Sequence, residues 1–442
     1  MSADARLFGR VLRNAGWSSA SVLISIGSGI VQMAVLARLL GPPGLGTLGL
    51  LVAATAVFGS VLRVNSAEAV ITFVSRDLAR DRGAAGRTAG FFYKVDFASS
   101  FVALGGLLAF AALSGERLGI SRENAYLFAA YGLTLLPLST YWVSHALLRV
   151  ADRFRWTVYQ STLHAVVEAG GCLALFAMQA RLEQVVWFLV AVAAFDGALA
   201  FGLAGAALRR AGIPLRLAVR GGPPEGALRF ILLGHGRGIV KTLSRSLDVL
   251  CVGTWAGPHQ VGLYRAAKQV TDQVQVPGQA LVSSLYPEYS RLWFGGRRRE
   301  LRRLVARSCG VLLAVGVVAV GIVWWQGDTV IRLLLGEPFL AARPALLILI
   351  GSAVALLVLS PVYALPAAIG RPGISLFAAA VAMAAQLLAL WRLVPVYGVL
   401  GAAWASVVFV GVWGLVLLVP VLPLLAAPPA DPVPPELVPG SA

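Results

Sequence analysis

Long apolar stretches separated by short polar connections make up most of the chain. A helix needs about 20 apolar residues to cross the hydrocarbon core of a bilayer, and each stretch is close to or above this length. The pattern predicts an all-α polytopic membrane protein with about twelve transmembrane helices. The predicted spans are 17–40, 47–74, 88–113, 124–148, 156–180, 184–208, 227–255, 261–286, 308–326, 344–369, 373–394 and 397–425.

The two halves of the chain share a sequence around a Gly-Pro turn. Residues 36–51, LARLLGPPGLGTLGLL, recur in altered form at 252–267, VGTWAGPHQVGLYRAA, at an offset of 216 residues. A duplicated apolar half is typical of transporters built from two related bundles around a central cavity. We therefore expect two pseudo-symmetric six-helix bundles, at 1–220 and 221–427, and a Pro-rich disordered cytoplasmic tail at 428–442.

Composition agrees with a membrane protein, and the charge sets its orientation. The chain is 58% hydrophobic and 13% charged, with a net charge of +17. On the predicted topology, 23 of the 37 basic residues lie on the side that holds both termini. Basic residues mark the cytoplasmic side, so we expect a multi-pass protein of the bacterial inner membrane with cytoplasmic termini. The positive charge then reflects topology and contact with the lipid bilayer, and no nucleic-acid partner is expected.

Thirteen ionisable residues lie inside the predicted spans, where each costs roughly 3 kcal/mol at the bilayer centre. They must pair, reach the interface or line a wet cavity. The first helix has a polar face, and the 216-residue offset places charged residues at the matching positions of helix seven. We predict a substrate-binding surface made of Ser21, Ser25 and Gln32 with Arg237, Lys241, Arg245, Arg265 and Lys268.

The basic residues have two interpretations. Arg245 could pair with Asp248, and Lys268 with Asp272, at helical spacing, which would neutralise them locally. Alternatively the two acids support a hydrated cationic wall that binds an anionic substrate, because arginine can grip phosphate oxygens with two hydrogen bonds. The second interpretation is favoured here.

Inside the predicted spans of the first half, four acids outnumber the bases. Membrane-embedded carboxylates often carry H⁺ or Na⁺. The candidates for ion coupling are Glu68, Asp96, Glu168 and Asp196. They could instead pair with Arg63 or Lys94. His145 and His164 are interpreted as packing residues and not as proton relays.

Motifs of soluble catalysis and ATP use are missing from the sequence. It has no G-x-x-x-x-G-K-[ST] phosphate loop and no G-x-S-x-G nucleophile turn. No metal-ligand spacing occurs among its three cysteines. An enzyme is not expected, and neither is a metal or cofactor beyond a coupling ion.

Four segments resemble the oligosaccharide flippases, the Wzx-type polysaccharide transporters of the multidrug/oligosaccharidyl-lipid/polysaccharide exporter superfamily. They are VLARLLGPPGLGTLGLL (35–51), ALLRVADRFR (146–155), RSLDVLCVGTWAGPHQVGLYRAAKQV (245–270) and SLYPEYSRL (284–292).

The resemblance implies the multidrug-exporter-like fold and alternating access. It also implies transfer of an undecaprenyl-pyrophosphate-linked oligosaccharide across the inner membrane for surface polysaccharide biosynthesis. A polysaccharide polymerase and a chain-length regulator are the candidate protein partners. The alternative is an ion-coupled multidrug or organic cation antiporter of the same fold.

Overall fold

The computed structural model describes residues 3–114, 122–217 and 224–426, and these ranges are almost entirely helical, without a β-strand. The predicted tail at 428–442 lies outside the described residues. The helices are α1 (Ala3–Leu62), α2 (Ala67–Ala69), a π-helix (Val70–Val74), α3 (Ser75–Leu78), α4 (Arg82–Ser114), α5 (Arg122–Gly132), α6 (Leu135–Val150), α7 (Phe154–Ala177), α8 (Leu182–Arg210), α9 (Ala227–Val274), α10 (Val276–Phe294), α11 (Arg298–Leu334), a 3₁₀ helix (Glu337–Ala342), α12 (Arg343–Ala368), α13 (Pro372–Tyr397) and α14 (Val399–Ala426).

The all-α prediction is confirmed, and every predicted span overlaps one of these helices. Within the described ranges, seven helical stretches are long and apolar enough to cross a membrane by length and composition. They are Gly27–Leu62, Arg82–Leu113, Leu182–Arg210, Arg298–Leu334, Glu337–Ala368, Gly373–Tyr397 and Val399–Leu424. The other predicted spans include α7 and the first part of α9, where embedded polar residues lower the mean hydropathy.

The duplicated Gly-Pro turn has the same backbone conformation in both halves. Gly41 interrupts α1 with φ 62° and ψ −179°, and Gly257 interrupts α9 with φ 79° and ψ 173°. This region is essentially restricted to glycine, and the proline that follows each glycine suits the first turn of a helix. The internal sequence repeat is therefore also a structural repeat, and α1 and α9 each consist of two helical segments.

The predicted span 47–74 is not one continuous helix. Residues 63–66 leave the helical conformation after Leu62, and α4 supplies the missing hydrogen-bond acceptors. The backbone N–H of Val64 donates to Ser99 Oγ at 3.0 Å, and that of Ser66 donates to Asp96 Oδ2 at 3.3 Å. The polar residues Arg63, Asn65 and Ser66 mark the break in the sequence, but the apolar residues on both sides led to a prediction of one span.

The chain divides into two compact units, Met1–Thr254 and Trp255–Ala442. The first unit has an aromatic core in which Phe73 lies 6.4 Å from Phe92, between ring centroids. The core of the second unit contains the buried Tyr289, Leu365 and Trp413. The domain boundaries expected from the sequence, 1–220 and 221–427, stay a prediction.

Candidate functional site

A cavity of about 300 Å³ lies inside the first unit, between α1, α6, α7 and α8. It is lined mainly by polar and ionisable side chains, although these helices are otherwise apolar. The lining residues are Ser28, Gly29, Gln32, Tyr141, Gln160, Ser161, His164, Ala165, Glu168 and Asp196.

Helix α7 provides half of this lining from one of its faces. Its cavity residues 160, 161, 164, 165 and 168 recur at spacings of three and four, which place them on one side of a helix. The other side carries the exposed apolar residues Leu163 and Val166, as expected for a surface in contact with lipid. The sequence of α7 thus directs its polar groups inward.

Two glutamine amides hold the two carboxylates of the cavity. Gln32 Nε2, from α1, donates to Glu168 Oε1 at 2.7 Å. Gln160 Nε2, from α7, donates to Asp196 Oδ1 at 2.9 Å and also approaches the Asp196 carbonyl oxygen at 3.3 Å. These bonds join α1 to α7 and α7 to α8, so both carboxylates have fixed orientations.

His164 lies between the same two carboxylates. Its Nε2 is 3.4 Å from Glu168 Oε2, and its Nδ1 is 3.7 Å from Asp196 Oδ2. The sequence interpretation of His164 as a packing residue did not anticipate this position. The i,i+4 spacing of His164 and Glu168 could have indicated their contact from the sequence. Asp196 comes close to them only because α7 packs on α8.

His145 has the packing environment expected of it. It is buried on α6, and its ring lies 4.2 Å from that of Tyr141, between centroids, at an interplanar angle of 32°. Tyr141, Gln160 and Ser161 also line the cavity but were not singled out from the sequence, although Gln160 and Ser161 share the helical face of His164 and Glu168.

The four predicted coupling carboxylates occupy three environments. Glu168 and Asp196 line the cavity. Asp96 is fully buried on α4, where it accepts the Ser66 N–H and interacts electrostatically with the buried Arg63. Glu68 is exposed on α2. The structure therefore brings two of the four together and leaves Asp96 engaged in the helix break.

Of the predicted substrate-binding residues, Gln32 lies in the cavity and the basic residues lie on α9. Arg245 is exposed and Asp248 buried in the segment before Gly257, while Arg265 is half-buried after it. Lys268 Nζ lies 5.7 Å from the Tyr264 ring centroid, and Asp272 is half-buried. The side chains of Ser21, Ser25, Arg237 and Lys241 lie outside the described part of the structure. A common cationic surface therefore stays a prediction.

Known proteins resemble this chain in sequence and fold. The inner membrane protein YghQ of Escherichia coli (strain K12) is 23% identical over 326 residues, covering 71% of this chain and 91% of that protein. An inward-facing multidrug resistance transporter of the MATE family superposes with a TM-score of 0.66 at 16% identity, covering 92% of this chain and 94% of its own. The lipid II flippase MurJ, in an inward closed conformation, also superposes with a TM-score of 0.66. It is 11% identical, and the superposition covers 91% of this chain and 87% of MurJ.

These structural likenesses establish the fold, which is that of the MATE and MurJ transporters. Residues 35–344 match the family described as polysaccharide biosynthesis protein, and this range includes both copies of the Gly-Pro turn. The chain is a multi-pass membrane protein with a transporter fold, and it belongs to the polysaccharide biosynthesis protein family.

Proposed function

We propose that this protein is a flippase, not an enzyme, that moves undecaprenyl-pyrophosphate-linked oligosaccharides from the cytoplasmic to the periplasmic leaflet of the inner membrane. The observation that carries the proposal is the family match over residues 35–344 on a transporter fold. The likeness in fold to the lipid II flippase MurJ supports a lipid-linked cargo. The product would be used to build O-antigen, exopolysaccharide or capsule.

In this proposal the cargo pyrophosphate binds the basic residues of α9, and the polyprenyl tail stays in the lipid. Guanidinium groups are suited to this task because they can form two parallel hydrogen bonds to a phosphate. Asp248 and Asp272 keep the basic side chains oriented and limit how tightly the anion is held. The cationic residues are Arg237, Lys241, Arg245, Arg265 and Lys268.

Movement of the cargo is driven by an ion that binds in the cavity of the first unit. Glu168 and Asp196 supply two negative charges there, and amide donors hold both carboxylates in place. Binding and release of H⁺ or Na⁺ changes the charge of the cavity and so biases alternating access. Gln32, expected from the sequence to bind substrate, is assigned to this ion site because it donates to Glu168.

The test is transbilayer movement in proteoliposomes. Purified protein is reconstituted with an undecaprenyl-pyrophosphate-linked oligosaccharide, and a membrane-impermeant glycosidase measures how much of the lipid becomes accessible with time. Wild-type protein should make the lipid accessible to the glycosidase faster than in protein-free vesicles, and R265E should lower this rate at least ten-fold. R332E, a charge reversal on α11, is the matched control and should retain it. Equal rates with and without protein would contradict the proposal.

One observation favours a second candidate, an organic cation antiporter. The cavity combines two carboxylates with the ring of Tyr141, and carboxylates and aromatic faces both attract cations. In the same vesicles, gradient-driven uptake of ethidium that is lost in both E168Q and D196N would support antiport. Oligosaccharide movement without ethidium uptake would exclude it.

A further inference from the structure

We propose that His164 is the residue that binds the coupling ion, and that this ion is a proton. The inference deepens the proposed function, on which it rests for the identity of the cargo. His164 takes up one proton from water in the cavity and releases it later, and Glu168 and Asp196 are the partners of its two ring nitrogens.

The geometry around the imidazole is complementary to its doubly protonated form. Both ring nitrogens face carboxylate oxygens, Nε2 towards Glu168 at 3.4 Å and Nδ1 towards Asp196 at 3.7 Å. A neutral imidazole has one N–H donor and one lone-pair acceptor, whereas the imidazolium has two N–H donors. In the neutral form, one lone pair would therefore point at a negatively charged oxygen.

This repulsion provides a means of coupling. When His164 is protonated, it joins Glu168 on its own helix to Asp196 on α8. When it loses the proton, one of the two contacts becomes repulsive, and the ring must turn or the helices must separate. Protonation thus selects between two arrangements of α7 and α8, as an ion-driven conformational change requires.

The surrounding donors fit a proton better than a metal cation. Hard cations are bound by several oxygen ligands. Here Glu168 already accepts the Gln32 amide and Asp196 accepts the Gln160 amide, so the carboxylates face N–H groups. The second oxygen of each carboxylate faces a ring nitrogen of His164, so a metal cation would have to compete with the imidazolium for both carboxylates.

The other titratable groups near the cavity are less suited to carry this proton. Tyr141 lines it from α6, His145 on the same helix interacts electrostatically with Asp196 and Arg149, and Cys172 lies near Glu168 on α7. Tyrosine and cysteine ordinarily titrate well above neutral pH, and His145 is buried against Tyr141. From α1 the described cavity side chains, Ser28 and Gln32, do not titrate. Histidine is the group that changes charge near physiological pH.

The decisive measurement is an NMR titration of ¹⁵N-histidine-labelled protein in nanodiscs of phosphatidylethanolamine and phosphatidylglycerol, from pH 5 to 9. The chain has four histidines, so H164Q assigns the resonance and the other three serve as internal references. Both His164 nitrogens should show imidazolium shifts at the acidic end. E168Q and D196N should each move the titration midpoint to lower pH by at least one unit. T157A, on the same helix but outside the cavity lining, should leave it in place.

Three results would overturn the inference: an imidazole that stays neutral down to pH 5, a midpoint unmoved by both carboxylate substitutions, or a midpoint displaced by a unit or more on adding 100 mM NaCl in place of KCl. The titration uses no oligosaccharide, so its outcome is separate from that of the flippase proposal.

Transport then adds a second readout. H164Q should flip lipid at equal rates with and without a pH gradient, whereas the wild type should flip several-fold faster with one. An H164Q variant that still responds to the gradient would count against the assignment even if the NMR titration succeeded.

Discussion

The side-chain amide of Gln32 donates a 2.7 Å hydrogen bond to Glu168, and this bond connects α1 to α7 across the cavity. Both residues come from apolar helices, where an uncompensated polar group is costly. The contact fixes the Glu168 carboxylate while leaving its second oxygen towards His164. Its removal should therefore affect the proposed ion site more than the fold.

Q32A should slow gradient-driven lipid movement by roughly ten-fold, because a hydrogen bond to a charged group is worth about 1.5–3 kcal/mol. S28A is the matched control, one helical turn earlier on the same face, because Ser28 Oγ makes only a long 3.4 Å contact with the Ala165 carbonyl oxygen. The measurement is the rate of oligosaccharide exposure in proteoliposomes. A larger loss in S28A than in Q32A would contradict this account.

G41A and G257A should each lower the melting temperature of the purified protein. Forcing alanine into this backbone region costs about 1–3 kcal/mol. Space is not the limitation, because nothing lies within 4 Å of a Cβ added at Gly257 and only Pro43 comes as near as 3.9 Å at Gly41. G105A, in the open helical part of α4, is the control and should not destabilise, since alanine is the better helix former. Equal melting temperatures for all three would argue against backbone strain.

Arg63 and Asp96 should behave as a coupled pair in a double-mutant cycle. Arg63 is only 6% exposed and Asp96 is fully buried, and the two interact electrostatically. Removing one partner of a buried pair typically costs about 3–5 kcal/mol, because the other charge is left uncompensated. R63A and D96A should each destabilise strongly, and the double variant should lose clearly less than the sum. Additive losses in thermal unfolding would mean that the pair is not coupled.

The stability provided by the Asp81 cap should depend on pH. Asp81 precedes α4, and its carboxylate accepts the N–H groups of Gly83 at 2.9 Å and Ala84 at 2.7 Å. These hydrogen bonds, with the nearby Arg87, lower the pKa of Asp81 from its usual 3.8. A lowered carboxyl pKa stabilises the folded state above the unfolded pKa, and this stability is lost as the pH falls through the folded value.

D81A should therefore melt below the wild type at pH 7, and the two curves should converge as the pH falls below about 3.8. D81N provides the comparison, because asparagine is also a good N-terminal cap but does not titrate in this range. At pH 7, the melting temperature of D81N should differ less from that of the wild type than the melting temperature of D81A does. A D81A offset that is constant from pH 7 to pH 3 would exclude the carboxylate as its source.

The helical architecture could be predicted from the sequence because it follows from local patterns. The lengths of the apolar stretches predict the spans. The internal repeat aligns Gly41 with Gly257, and these two glycines have matching backbone angles. The break at residues 63–66 was not predicted, although Arg63, Asn65 and Ser66 interrupt the apolar run there. What the sequence does not contain is the source of its hydrogen-bond acceptors, which come from α4, about 30 residues away.

The candidate site could be predicted only in part for the same reason. Glu168 and Asp196 are conspicuous as acids inside apolar spans, and Gln32 follows the polar face of the first helix. That these three surround His164 depends on how α1, α7 and α8 pack, which periodicity does not specify. Charge alone also could not distinguish Glu168 and Asp196 from Asp96, whose carboxylate accepts a backbone N–H group at the helix break.

The matching Gly-Pro joints allow the two halves to be compared position by position. At the same 216-residue offset, His164, Glu168 and Asp196 correspond to Ala380, Ala384 and Val412, none of which can hold a proton. At these three positions, titratable groups therefore occur in the first copy and not in the second. In the proposed mechanism the two copies would have different tasks, proton uptake in the first and binding of the anionic cargo in the second.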